Sequence, residues 1–176
     1  MRIGVISDTH GLLRPEALSA LRRADHLLHA GDIGGEEVLA ALHEIAPVTA
    51  VAGNVDGFRC GDARGTARVV LEGVRFYLTH ILERPGQPRP EVQADLRREA
   101  ADVVVFGHSH LPHDEVLSGV RFFNPASAGP RRFDYPVSVG MLEVRGGRVV
   151  RSELVPLDAR SEVALQRHMN QLTRRR

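Results

Sequence analysis

Apolar residues recur along this chain in two rhythms, and the order of those rhythms predicts its architecture. Ile3-Gly4-Val5-Ile6 is a short apolar run of the kind that forms a buried strand, and it stops abruptly at Ser7-Asp8-Thr9-His10. Pro15 and Glu16 then open a helix carrying Leu18 and Leu21. Proline costs no hydrogen bond there, because the first N–H groups of a helix have no intrahelical partner. His26-Leu27-Leu28-His29-Ala30 reads as a second strand and ends in Gly31-Asp32. After Gly34-Gly35, Val38, Leu39, Leu42 and Ile45 recur at helical spacing until Pro47 stops them. Residues 48–52 form the third strand, followed by Gly53-Asn54-Val55-Asp56. The order β-α-β-α-β predicts parallel strands, since a parallel connection must cross over and usually does so through a helix.

Further on, the rhythm becomes that of hairpins. Glu72-Gly73 turns residues 68–71 into 74–78, which lead to Thr79-His80. The proline-rich segment 85–90 predicts a mobile loop, and residues 90–101 a helix. Val103-Val104-Val105-Phe106 has the unbroken apolarity of a central strand covered on both faces, and it ends in Gly107-His108-Ser109-His110. Ser118-Gly119 and Gly146-Gly147 each predict a further hairpin, and residues 161–173 a polar helix ahead of the final arginines. The α/β first half and antiparallel second half predict two sheets packed face to face inside outer helices. No repeat or shift of composition divides the chain, so residues 1–176 read as one domain.

Composition narrows the function classes. Among 176 residues, 43% are hydrophobic and 26% charged, the balance of an ordinary globular protein. A net charge of +1 and an aromatic content of 5% offer neither a polyanion-binding surface nor stacking platforms, so nucleic acid is not an expected partner. Cys60 is the only cysteine, which excludes an intrachain disulfide and points to a reducing, cytoplasmic compartment. Met1 leads directly into the first apolar run without a charged leader segment, and no apolar run approaches the roughly 20 residues of a membrane span.

The candidate chemistry lies where the predicted strands end. Asp8 and His10, Asp32, Asn54, His80, and His108 and His110 each follow one of five strands. Ligands of open α/β sheets bind at the carboxyl ends of strands. Residues two apart in an extended chain share a side, so Asp8 and His10 are expected to converge, as are His108 and His110. Carboxylate with neutral imidazole suits borderline divalent ions such as Mn²⁺, Fe²⁺, Zn²⁺ or Ni²⁺. Two ions ~3.5–4 Å apart could clamp both oxygens of an in-line phosphoryl displacement. Against two Asp carboxylates, two such cations leave an excess of positive charge that hydroxide and a phosphodiester monoanion together cancel. Each residue alone has a blander role: a helix or turn cap for Asp8 and Asp32, a turn for Asn54, a core or surface position for each histidine. The ordered set at successive strand ends weighs against that reading. His26, His29, His43, His113 and His168 read as structural or solvated, although His29 lies close to Asp32.

Asp8-x-His10, Gly31-Asp32, Gly53-Asn54, His80 and Gly107-His108-x-His110 together resemble the signature of the calcineurin-like metallophosphoesterases. Ser7-Asp8-Thr9-His10 and Asn124-Pro125-Ala126-Ser127 resemble its small bacterial and archaeal phosphodiesterase branch. The resemblance implies a four-layer α/β/β/α sandwich, with two mixed sheets packed face to face and outer helices. It implies a binuclear metal-dependent phosphodiesterase in which a metal-bridging hydroxide attacks a small phosphodiester, with Mn²⁺ as the first expectation for both ions. Carried over by position, Asp8, His10, Asp32 and His110 would hold one ion. Asp32, Asn54, His80 and His108 would hold the other, with Asp32 bridging and Asn54 also touching the phosphate. Two departures stand out. Val55 occupies the place of a histidine that helps protonate the leaving group, which makes Asp56 the candidate catalytic substitute alongside its turn role. His80-Ile81-Leu82 replaces the common His-Gly-His. The alternative is a non-catalytic metal-binding scaffold of the same fold, as in the retromer subunit that shares it; seven retained ligand positions favour the enzyme. A homo-oligomer is compatible with all of these readings.

Overall fold

The computed structural model describes residues 1–57 and 63–174. Cys60 and the last two arginines lie outside the described residues. In chain order the elements are β1 (Arg2–Ile6), α1 (Pro15–Leu21), β2 (His26–His29), α2 (Glu36–His43), β3 (Val48–Ala50), β4 (Thr66–Leu71) and β5 (Val74–Thr79). There follow β6 (Glu83–Arg84), β7 (Gln87–Pro88), α3 (Pro90–Arg98), β8 (Val103–Val105), β9 (His113–Leu117), β10 (Val120–Asn124), β11 (Ser138–Arg145), β12 (Arg148–Pro156) and α4 (Ala159–Arg174).

Two five-stranded sheets form, in the orders β12-β11-β1-β2-β3 and β4-β5-β8-β10-β9. Both are mixed. Strands β1, β2 and β3 run parallel, with β3 at one edge, as do the inner strands β5, β8 and β10, while β11, β12, β4 and β9 pair antiparallel. The α/β sandwich with two mixed sheets is therefore the one expected from the sequence. The predicted loop at 85–90 differs: β6 and β7 pair as a short hairpin. Gly86, at φ 77° in its turn, supplies the left-handed backbone that such a tight reversal requires.

Strand alternation sorts the apolar side chains into three cores. Ile3 and Val5 of β1 meet Phe76 and Leu78 of β5 and Val103 and Val105 of β8 between the sheets. Ile6 and Leu27 face outward to Leu21 of α1 and Val38 and Leu42 of α2. On the opposite side, Tyr77, Val104 and Phe122 pack against Val92 of α3. Burial on both faces explains why these strands read as continuous apolar runs rather than alternating ones. Glycine sets the close approach of the sheets at one point. A Cβ on Gly140 of β11 would stand 2.3 Å from the Phe123 ring, so the ring fills the space that a side chain would otherwise occupy.

Candidate metal centre

Six parallel strands, three from each sheet, end at the same edge of the sandwich, and their exit turns supply the site. The turns are tight. Asp8, His10, Asp32, His108 and His110 all adopt left-handed backbone, with φ between 49° and 68°. Non-glycine residues avoid this region at a cost of about 1–3 kcal/mol each, and such residues cluster at functional sites. The convergence of Asp8 with His10 is thus a product of the turn and not of strand alternation: β1 ends at Ile6, two residues earlier. The glycines preceding three of the ligand positions have a steric cause. A Cβ on Gly107 would lie 2.1 Å from Ser7 Oγ and 2.8 Å from Asp8 Oδ2, and one on Gly53 would lie 2.2 Å from Asp32 N.

Two sets of potential ligand atoms result, each with its members within 4.8 Å of one another: Asp8, His10 and His110, and Asp8, Asp32 and His80. Asp8 belongs to both. His110 Nε2 is 3.2 Å from Asp8 Oδ1, and His10 Nε2 is 3.4 Å from His110 Nε2. Asp32 Oδ2 stands between His80 Nε2 at 3.3 Å and His10 Nε2 at 3.7 Å, so this carboxylate also reaches both sets. His108 lies outside the two sets, its ring edge-on to that of His80 with centroids 5.2 Å apart. Asn54 is exposed and lines a recess of about 210 Å³ with His80 and Arg89.

The inner groups are held in fixed roles. His80 Nδ1 lies 2.8 Å from the Ala30 carbonyl, which can only accept, so Nδ1 carries the proton. In the neutral ring the Nε2 lone pair is then left facing Asp32, the orientation a metal-binding imidazole takes from its outer partner. Asp8 Oδ2 accepts from Ser7 Oγ at 2.6 Å and from the His108 N–H at 3.2 Å, leaving Oδ1 to face His110. Asp32 Oδ1 accepts from the Val55 N–H at 3.1 Å. Burial opposes ionisation of Asp32, but the His80 imidazole and the Val55 N–H outweigh it and hold the carboxyl well below the usual carboxylate range. Burial likewise works against the His80 cation, and Asp32 and the Ala30 carbonyl more than compensate, so its pKa is raised. His10 and His108 shift downward, chiefly through burial, with Arg132 adding to the effect at His10 and His80 at His108.

Beneath the ligands lies a network that sequence reasoning assigned only loosely. His29 is fully buried; its Nδ1 accepts from the Gly31 N–H, its Nε2 donates to Thr9 Oγ1, and that hydroxyl donates to the Ile33 carbonyl at 2.8 Å. This chain locks the turns after β1 and β2 together, and burial pushes the His29 pKa down to about 4. Ser127 Oγ donates to the Asp8 carbonyl, and Asn124 Nδ2 to the Gly107 carbonyl, so the turn after β10 braces two ligand turns.

Asp56 and Arg132 complete the surroundings. Asp56 is 1% exposed, and its two oxygens accept from the Gly34 and Gly53 N–H groups at 2.9 and 2.6 Å. Both oxygens bind backbone and tie the turns after β2 and β3, the geometry of the turn role. The Val55 side chain is exposed. Arg132, absent from the sequence-derived site, brings its guanidinium within 3.3 Å of His10 Nε2. With every one of the 23 basic residues an arginine, nothing in the sequence singled it out.

The donor set fits divalent metal. Asp8 Oδ1 and His80 Nε2 are buried with no hydrogen-bond partner among the described residues, a costly arrangement unless a cation completes it. The comparisons agree. The family description "calcineurin-like phosphoesterase superfamily domain" matches residues 1–147. A probable metallophosphoesterase of Methanothermobacter thermautotrophicus is 33% identical over 154 residues, covering 85% of this chain and 89% of the relative. The phosphodiesterase YfcE of Escherichia coli K12 is 29% identical over 167 residues, covering 81% and 88%. The E. coli YfcE structure superposes with a TM-score of 0.64 at 26% identity over 88% of this chain and 100% of that one. The zinc complex of Vps29 from Entamoeba histolytica, at 23% identity, TM-score 0.67 and coverage of 90% and 100%, shares the fold.

Proposed function

This chain belongs to the calcineurin-like phosphoesterase superfamily, and from that premise we propose that it is a phosphodiesterase that hydrolyses a small phosphodiester with two divalent metal ions, Mn²⁺ foremost. The observation that carries the reading is a pair of buried ligand atoms without a hydrogen bond among the described residues, Asp8 Oδ1 and His80 Nε2, which face His110 Nε2 and Asp32 Oδ2 within one cluster of carboxylates and imidazoles. Asp8, His10 and His110 would hold one ion; Asp32 and His80, joined by Asn54 and His108, would hold the other. Two bound cations neutralise phosphate charge and lower the pKa of bound water enough to provide a nucleophile near neutral pH.

This chain's own residues do the rest. Ser7 and Val55 aim the Asp8 and Asp32 carboxylates, and His29 and Asp56 hold the turns that carry them. Arg132 places planar guanidinium donors where a substrate phosphate would lie, a geometry suited to its oxygens. Asp56 acts as a positioning residue, and with Val55 exposed no side chain among the described residues of that turn delivers a proton to the leaving oxygen. An aryl leaving group, which needs no such proton, is accordingly handled better than an alkoxide. The scaffold reading draws on the fold shared with Vps29.

The test combines metal analysis with hydrolysis of bis-p-nitrophenyl phosphate. About two ions per chain after Mn²⁺ loading, turnover, and a loss of about 100-fold or more in Asp32→Asn are expected. Metal without turnover would establish the scaffold, and no bound metal would overturn both readings.

A further inference from the structure

Directly beside His108 the molecule contains an apolar cavity of about 270 Å³. Leu82 walls it from the β5–β6 connection, Pro85 from the β6–β7 turn, Phe106 and Leu111 from the turn after β8, and Leu172 from α4. Leu82 and Phe106 are themselves core residues, so these walls are anchored in the packing against α3. The α4 wall lies beyond the residues that match the family description. Ser161 and Leu165 bury one stripe of this helix, and His168 Nε2, 3.0 Å from the Pro112 carbonyl, fastens its later turns to the loop that follows His110. The helix thus runs from the end of β12 in one sheet to the ligand turn of the other, and Leu172 closes the cavity there.

We propose that this cavity is the subsite for an apolar, aromatic ester group of the substrate, which rests on the phosphodiesterase reading above. A phosphate held at the metal centre lies next to His108, and the cavity opens from that residue. No arginine stands among its lining residues; of its imidazoles, His113 faces Glu115 at 3.3 Å and His168 faces the Pro112 carbonyl, and Glu83 adds a carboxylate, so the cavity suits an apolar group better than a second phosphate. An aromatic ring suits the walls: an apolar cavity of ~150 Å³ already accepts benzene. The remaining volume leaves space for a substituted ring. The few polar edges, Ser109 and His113 among them, are the kind of groups that orient a ligand within an apolar pocket.

Calorimetric titration of the metal-loaded, full-length protein with diphenyl phosphate and with dimethyl phosphate tests this. Diphenyl phosphate is expected to bind about 10- to 100-fold more tightly than dimethyl phosphate, from burial of one ring. Leu172→Trp, which fills the cavity, should remove most of that advantage, and Leu172→Ala, which adds no bulk to disturb the helix, should reduce it. Dimethyl phosphate affinity and metal content should stay unchanged in both variants. Equal affinities for the two diesters in the wild type, or an advantage that survives Leu172→Trp, would overturn the subsite while leaving the phosphodiesterase reading standing. Failure of the metal-loaded wild type to bind either diester would overturn that reading and the subsite with it.

Discussion

Asp32 and Asp56 are buried carboxylates of neighbouring turns, yet their oxygens face different partners. Asp32 keeps Oδ2 toward His10 and His80, whereas both oxygens of Asp56 accept backbone N–H groups. Asp56→Asn replaces one acceptor by a donor that faces a donor, and is expected to cost about 1–3 kcal/mol of stability in a denaturant titration. Its metal content and the shape of its pH–rate profile should be retained. Arg132→Ala should raise KM for bis-p-nitrophenyl phosphate by about 10- to 100-fold, the worth of one charge-assisted hydrogen bond, at unchanged metal content. His29 governs acid stability. Its pKa is depressed to about 4 in the folded protein, so the unfolded chain takes up a proton that the native state refuses as pH falls below about 6.5. The associated stability is complete above pH ~6.5 and lost progressively down to about 4, for a total of about 3 kcal/mol. Denaturant titrations of chelator-treated protein between pH 7 and 4.5 should show this slope in the wild type and a shallower one in His29→Gln. His10, His26 and His108 shift in the same direction and add to this slope, whereas the raised pKa of His80 opposes it.

At the scale of elements, two glycines let strands and helices approach closely, and they differ in how well their neighbours can yield. A Cβ on Gly4 of β1 would meet the Cδ2 methyls of Leu21 and Leu27 at 2.6 Å, the far ends of flexible side chains. On Gly140 of β11 it would strike the edge of the Phe123 ring, a rigid group fully buried between the sheets. Gly140→Ala should therefore destabilise by about 1–3 kcal/mol, the usual penalty for overpacking, and Gly4→Ala by less. Gly65→Ala, where a Cβ meets nothing within 4 Å among the described residues, serves as the control in the same thermal melts.

Across the whole molecule the site joins the two halves of the sandwich. Asp8, His10, Asp32 and Asn54 follow strands of one sheet; His80, His108 and His110 follow strands of the other. Metal bound there would tie both sheets together at one edge. Only the folded chain assembles the site, so an ion present at ~1,000 times its Kd adds about 4 kcal/mol. In a chain of this size that corresponds to a Tm roughly 8–16 °C higher than after chelation. Scanning calorimetry before and after chelator treatment measures it, and an unchanged Tm would show that these residues take up no metal.

Much of this was legible in the sequence because it depends on local chemistry. Continuous apolar runs such as Val103-Val104-Val105-Phe106 are what strands covered on both faces require, and the polar residue after each run marks its exit. The candidate ligand types were legible for the same reason, since carboxylate and imidazole declare their chemistry wherever they stand. Only the tertiary structure decided how they meet. Left-handed turns, not strand alternation, turn Asp8 toward His110 and Asp32 toward His80, and backbone angles at Asp and His leave no trace in composition. Arg132 reaches His10 across 122 residues, and Leu172 reaches the neighbourhood of His108 through a helix packed on the far sheet. The sequence holds both residues, but contacts between distant segments follow from packing, and the hydrophobic effect that drives packing carries no direction of its own.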